Sequence, residues 1–218
     1  MKKLLLPIMM ALVLSGCLNI DAHMKFREDG HVDTAMVMSV SKDMYELMNA
    51  DGGENFCTGV GEKRSKHKDS VSCTIVGKTT IETMINGGFS FDVDPNANAT
   101  TDTPVQVTEV GEGVLEIVVD FRKMMEDDPN NPEMNNPEMK ALVRAAMANN
   151  HMSFGFTGQQ IVSSTGTISN DGRTATIKVP MTDFIDKTAP EEFHTVLRYK
   201  DGGWLSMIMG WFYSIWPF

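Results

Sequence analysis

An α+β fold, largely antiparallel β-hairpins with a few short helices packed on the sheet, is predicted by three observations. Apolar and polar residues alternate with period two over several runs, as in strands that bury one face. Asp29-Gly30 and Asn170-Asp171-Gly172 each stand between two such runs and mark hairpin tips. Helix-period stretches are few and short, so weighing strands against helices leaves an antiparallel sheet with helices laid on it.

The chain begins with a segment outside that fold. Lys2 and Lys3 form a positive start, Leu4 to Val13 are apolar apart from Pro7, and Leu14-Ser15-Gly16-Cys17 follows. That order predicts a secretory signal peptide, residues 1–16, ending in a lipobox whose Cys17 is acylated and becomes the first mature residue. About ten apolar residues are too few for a spanning helix, which needs about 20. Residues 17–203 are then expected to form one lipid-anchored envelope domain, and 204–218 a separate apolar segment.

Within the domain, Ile20, Ala22, Met24 and Phe26 alternate with polar neighbours, Glu28-Asp29-Gly30 turns the chain, and Val32, Thr34, Met36, Met38 and Val40 return on one face. This first hairpin starts so near Cys17 that the domain is expected to sit against the membrane. Ser41 is a helix N-cap for Met44, Leu47 and Met48, and Gly52-Gly53 stops the run. Val71 to Val76 reads as a strand, Thr79 to Ile85 as one or two helical turns, and Phe89, Phe91 and Val93 as a further alternation ending at Pro95. Asn96 to Thr103 is a polar loop. Val105 to Val110, Gly111-Glu112-Gly113 and Val114 to Phe121 form a second hairpin, whose nearly continuous apolar return strand is expected to be central.

Asn-Asn-Pro-Glu-Met occurs twice in tandem, at Asn130 to Met134 and Asn135 to Met139. Each copy has a cap and a proline at the first helical position, but only the second leads into a helix, Pro137 to Ala148. After it come Phe154 and Phe156, then Ile161 to Ile168, the Asn170-Asp171-Gly172 turn, and Ala175, Ile177 and Val179 alternating with polar residues. A short helix at Thr182 to Asp186 and a strand at Phe193 to Tyr199 close the domain.

Charge narrows the function. The 218-residue chain carries 19 basic and 29 acidic residues; without the signal, 17 basic residues remain and the net charge is −12. A chain this acidic is expected to bind no nucleic acid, and its attachment to a membrane must come from acyl chains and apolar side chains. With Cys17 reserved for lipid, Cys57 and Cys73 are left as an even pair in an oxidising compartment, and a disulfide between them is expected. A metal site there lacks further ligands, since only His67 lies between them.

No constellation predicts catalysis. There is no Gly-x-Ser-x-Gly, no phosphate-cradling glycine loop, and His23, His31, His67, His151 and His194 lack metal-ligand spacing. Asp92, Asp94, Asn96, Asn98 and Thr100 mimic a calcium loop, but Ala97 and Thr103 stand where such a loop needs Gly and Glu. Fifteen of the 18 methionines remain after signal removal. They fit a pliable apolar interior, or a groove that repacks around lipid tails, better than a copper cluster. No enzyme activity, cofactor or metal is expected.

Trp204 to Phe218 holds all three tryptophans, Trp204, Trp211 and Trp216, with Phe212, Tyr213 and Phe218, and no charged side chain. As a helix it would reach about 22 Å, short of the ~30 Å hydrocarbon core. It is expected to lie in the membrane interface as a second anchor, hinged at Gly202-Gly203; packing on the domain as a final helix is the competing reading.

Leu14 to Cys17, Arg27 to Val40, Val162 to Val179 and the apolar C-terminus together resemble the LppM-type envelope lipoproteins. The resemblance implies an α/β envelope domain with a lipid-handling or surface-interaction role and no established enzymatic activity, hence binding more than catalysis. The chain departs from that pattern in lacking a full spanning helix and basic tail. Read as a whole, the sequence predicts an envelope lipoprotein facing the periplasm or exterior and binding lipid or another envelope component at the membrane surface. With Leu18 and Asn19 after the cysteine and no Asp at the second mature position, it would go to the outer membrane if its host has one. The alternative is a structural or assembly lipoprotein that docks onto an envelope protein complex.

Overall fold

The computed structural model describes residues 18–50, 57, 62–87, 104–125 and 137–201. In chain order the elements are β1 (Asn19–Phe26), β2 (His31–Ser41), α1 (Lys42–Ala50), β3 (Glu62–Lys66), β4 (Ser70–Thr80), α2 (Ile81–Gly87), β5 (Val105–Gly111) and β6 (Val114–Asp120). There follow α3 (Arg122–Met125), α4 (Pro137–Ala146), β7 (His151–Thr157), β8 (Gln160–Ser164), β9 (Thr167–Ile168), β10 (Thr174–Pro180), α5 (Met181–Ile185) and β11 (Glu192–Arg198). The fold is α+β and mostly antiparallel; the one parallel pair among the described strands joins β1 to β7.

A seven-stranded sheet runs β3-β4-β2-β1-β7-β10-β9, and a four-stranded sheet runs β5-β6-β11-β8. Period-two alternation decides which side of each strand meets the other sheet. Ala22, Met24 and Phe26 of β1 are buried while His23 and Lys25 are exposed, and Ala175 and Val179 are the buried positions of β10. Facing them are Val105, Val107, Leu115, Ile117, Val119, Phe193 and Leu197 of the smaller sheet. Phe156 stacks on Phe193 across the interface with ring centroids 5.3 Å apart. The tips form as expected: Gly30 at φ +81° and Gly172 at φ +68° occupy the left-handed region that glycine enters without steric cost.

Several elements differ from the sequence expectation. β3 lies within the loop between the cysteines, where the sequence pattern marks no element, and pairs with β4 along Glu62 to Lys66. Its Glu-Lys-Arg-Ser-Lys sequence has no apolar face because it is an edge strand held by backbone hydrogen bonds. β4 runs on to Thr80, past Val76, because β2 keeps pairing with it as far as His31 opposite Thr80. The expected strand Ile161 to Ile168 is two strands in different sheets, broken at Thr165-Gly166. A Cβ on Gly166 would lie 2.4 Å from the Thr176 backbone carbonyl oxygen and 2.7 Å from the Phe193 ring, so only glycine fits the corner. The short helix α3, absent from the sequence expectation, follows Phe121, whose carbonyl accepts from the N–H groups of Met124 and Met125. The expected strand at Phe89 to Val93, the polar loop with its calcium-like spacing, and the first tandem copy lie outside the described residues.

Candidate functional site

The register of the large sheet defines its two ends. Asn19 of β1 faces Ser39 of β2, Ser39 faces Ser72 of β4, and Ser72 faces Ser65 of β3. Cys17, two residues before this row, lies outside the described residues, as do Trp204, Trp211, Phe212, Tyr213, Trp216 and Phe218. The end of the sheet at Asn19 is therefore the end nearest Cys17 in the chain; Phe26 is about 23 Å further along β1.

On the face turned toward the core, Ile20, Met36, Met38 and Ile75 share one side of β1, β2 and β4 near the Asn19 end, Ile20 opposite Met38 and Met36 opposite Ile75. They are half-buried and belong to neither the central core nor the residues packed on it. Further along the same side, Val40, Val71 and Cys73 are buried where α1 contacts β2 and β4. Ser41 caps α1 as expected, its Oγ accepting from the Met44 N–H at 3.3 Å. The methionines of the hairpin thus form an apolar band between two buried clusters.

Cys57 and Cys73 form the expected disulfide, with Cα atoms 5.4 Å apart. The carboxylate of Glu62 lies 3.6 Å from Cys73 Sγ, a neighbour the spacing did not reveal because β3 was not foreseen. Cys57, Glu62 and Cys73 are the only group of three or more His, Cys, Asp or Glu side chains among the described residues close enough to share an ion. Both sulfurs are bonded to each other, which leaves Glu62 as the one carboxylate of the three. The two cysteines are 16 positions apart in the chain, so replacing both by alanine should cost about 3 kcal/mol in the chain-entropy estimate. Urea denaturation checks this, and an unchanged midpoint would show that the bond does not hold the fold.

The described histidines occupy separate places. His194 Nε2 lies 2.7 Å from Glu116 on the outer side of the smaller sheet, and His31 Nδ1 lies 3.3 Å from Asp29 at the hairpin tip. The His23 ring covers Gly155, where a Cβ would lie 2.6 Å from Nδ1, and its Nε2 is 3.0 Å from the Thr157 hydroxyl. Partial desolvation of the ring where it lies against Gly155, and secondarily the positive charge of Lys25, hold the His23 pKa below its ordinary value. Near the Asn19 end, Ser153 donates to Asp21, and His151 Nε2 lies 3.6 Å from the same carboxylate. The carboxylate stands between hydroxyl and imidazole, so the base does not sit on the serine oxygen that nucleophilic catalysis would need to activate.

At the opposite end of β1, a cleft of about 890 Å³ opens between the two sheets, lined by Lys25, Arg27, Glu28, Arg173, Arg198 and Asp201 among others. Cations and carboxylates are mixed there, and several are already engaged: Arg27 pairs with Asp33, and Gln159 donates to Glu28. Asp201, the last described residue, stands in this cleft. Any second anchor formed by the following residues must therefore start from the end of the domain away from Cys17.

Neither a family model nor a curated protein matches the chain. Among solved structures, it is similar to the NMR structure of the folded domain of LppM from Mycobacterium tuberculosis, at 12% identity over 85% of this chain and 92% of that one, with a TM-score of 0.44.

Proposed function

We propose that this chain is an envelope lipoprotein, lipidated at Cys17, that works without catalysis by receiving lipid acyl chains at the surface of the membrane that holds it. The observation that carries this reading is the half-buried band of Ile20, Met36, Met38 and Ile75, which begins three residues from Cys17. Thioether side chains repack around irregular apolar shapes at low cost, and each methylene taken out of water contributes about 0.8 kcal/mol. A band beside the anchor meets lipid tails without the domain having to leave the bilayer. The C-terminal part of Trp204 to Phe218 would add a second, interfacial contact; at up to ~3.5 Å per residue, about seven residues after Asp201 are taken up in returning the length of β1 to the membrane.

A second reading, an assembly lipoprotein docking onto an envelope complex, is favoured by α4. Met139 and Leu142, one helical turn apart, are 38% and 43% exposed. The outer strands of the large sheet support it less, since β3 is highly charged and β9 has two residues. Native mass spectrometry of the gently solubilised mature protein separates the two readings. Lipid adducts are expected on the wild type, with occupancy about tenfold lower in a Met36→Gln/Met38→Gln chain that melts normally, since two polar groups would meet the acyl chains. Adducts unchanged by that pair of substitutions, or a stoichiometric protein in place of lipid, would sink the lipid-receiving reading.

A further inference from the structure

Although the chain carries ten more acidic than basic residues, Lys63, Arg64, Lys66 and Lys68 lie within six consecutive positions that contain no acid. All four are exposed, as is His67 between the last two. The β3–β4 hairpin holds them: Lys66 faces Val71, and the turn closes where the His67 N–H donates to the Ser70 carbonyl at 2.8 Å. Its tip lies two residues beyond Ser65, in the direction in which Cys17 lies two residues beyond Asn19. The lipidation position and the basic tip therefore stand at the same end of the sheet. They are three strand spacings apart, about 14 Å.

The patch has an apolar partner of its own. Tyr45 of α1 lies under two of the cations, with Arg64 Cζ 6.0 Å and Lys66 Nζ 5.7 Å from its ring centroid, and its hydroxyl accepts from Arg64 Nη1 at 2.9 Å. The nearby acids do not cancel the charge at the tip. Glu46 pairs with Lys42 at 3.8 Å, and Asp43, Asp69 and Glu62, whose carboxylate lies at the disulfide at the other end of β3, stand against the four cations of the hairpin, so a positive excess of one remains.

We infer that the β3–β4 hairpin is a headgroup-contact surface for anionic phospholipid in the membrane that carries the Cys17 anchor. This rests on the lipoprotein reading above and adds an orientation to it. The acidic remainder of the domain is repelled by an anionic bilayer, but beyond a Debye length of about 8 Å at physiological ionic strength that repulsion is screened, while the hairpin acts at contact distance. Acyl chains fix one point and the basic tip a second, and two points at the same end hold the long axis of the sheet upright on the membrane.

The test uses the mature, acylated full chain in lipid nanodiscs, either of phosphatidylcholine alone or with about 30% phosphatidylglycerol, at an ionic strength of about 50 mM. The amine acetylation rates of Lys66 and Lys68 are followed by mass spectrometry, with Lys25 in the distal cleft as internal reference. Both rates are expected to fall about fivefold on the anionic discs relative to the neutral ones, with Lys25 unchanged, and the difference should vanish near 0.5 M salt. A Lys66→Glu/Lys68→Glu chain should still enter the discs but lose the lipid dependence at Lys63. Equal rates at Lys66 and Lys68 on the two discs, whether both free or both protected, would overturn the headgroup contact. A chain that stays with neither disc would instead overturn the anchor.

Discussion

A Cys17→Ser chain should accumulate as uncleaved precursor, with no mature, acylated form in the membrane fraction. The lipobox sets the cleavage in sequence terms: diacylglycerol is placed on the thiol first, and the peptidase then cuts on its N-terminal side. Each buried methylene contributes about 0.8 kcal/mol, and one myristoyl-sized chain alone gives an association constant of only about 10⁴ M⁻¹. Several chains make release negligible, so losing the thiol removes nearly all of the anchoring. The methionine band and basic hairpin would then meet the bilayer only transiently. Labelled palmitate followed by fractionation checks this; a processed, soluble Cys17→Ser protein would remove the anchor from the account.

Phe121→Ala should cost about 3–5 kcal/mol of stability, a large part of the 5–15 kcal/mol usual for a domain. Phe121 is fully buried where the smaller sheet hands over to α3. Its ring centroid is 5.6 Å from that of Phe154 in the large sheet and 5.7 Å from that of Phe184 in α5. Truncation empties the point where both sheets and a helix meet, and the backbone has little freedom to close the gap, since the Phe121 N–H donates to Glu191 and its carbonyl receives the start of α3. Phe121→Leu should lose much less. Equilibrium urea unfolding distinguishes them, and a loss under about 1 kcal/mol in the alanine variant would mean that the core does not depend on this ring.

Elements with a strong local signal were legible in the sequence. The alternation through Ala22, Met24 and Phe26 gave both a strand and its buried face, and Asp29-Gly30 and Asp171-Gly172 gave the tips, because burial and positive φ are written into single residues and their neighbours. The cysteine pair needed only the count and the compartment. β3 was not legible, because an edge strand of Glu, Lys, Arg, Ser and Lys buries no face and is held by backbone pairing, which leaves no side-chain pattern. The corner at Gly166 was not legible either. Its requirement for glycine comes first from the Thr176 backbone carbonyl of β10 and then from the Phe193 ring, both remote in the chain and close in space.

By itself, then, the sequence determined the fold class, which residues of each hairpin face the core, and which two cysteines pair. Only the tertiary structure decided which of these features share an end. The pairing of β1 with β2, β2 with β4 and β4 with β3 brings a basic tip to the side of Cys17, and the direction of β11 leaves Asp201 in the cleft at the other end. The reason is physical: strand order and direction are set by long-range backbone pairing and by packing between the two sheets, whereas the cost of closing a loop changes only slowly with its length and selects no neighbour. Local sequence fixes what each strand buries; the partner across the ladder fixes where its ends come to lie.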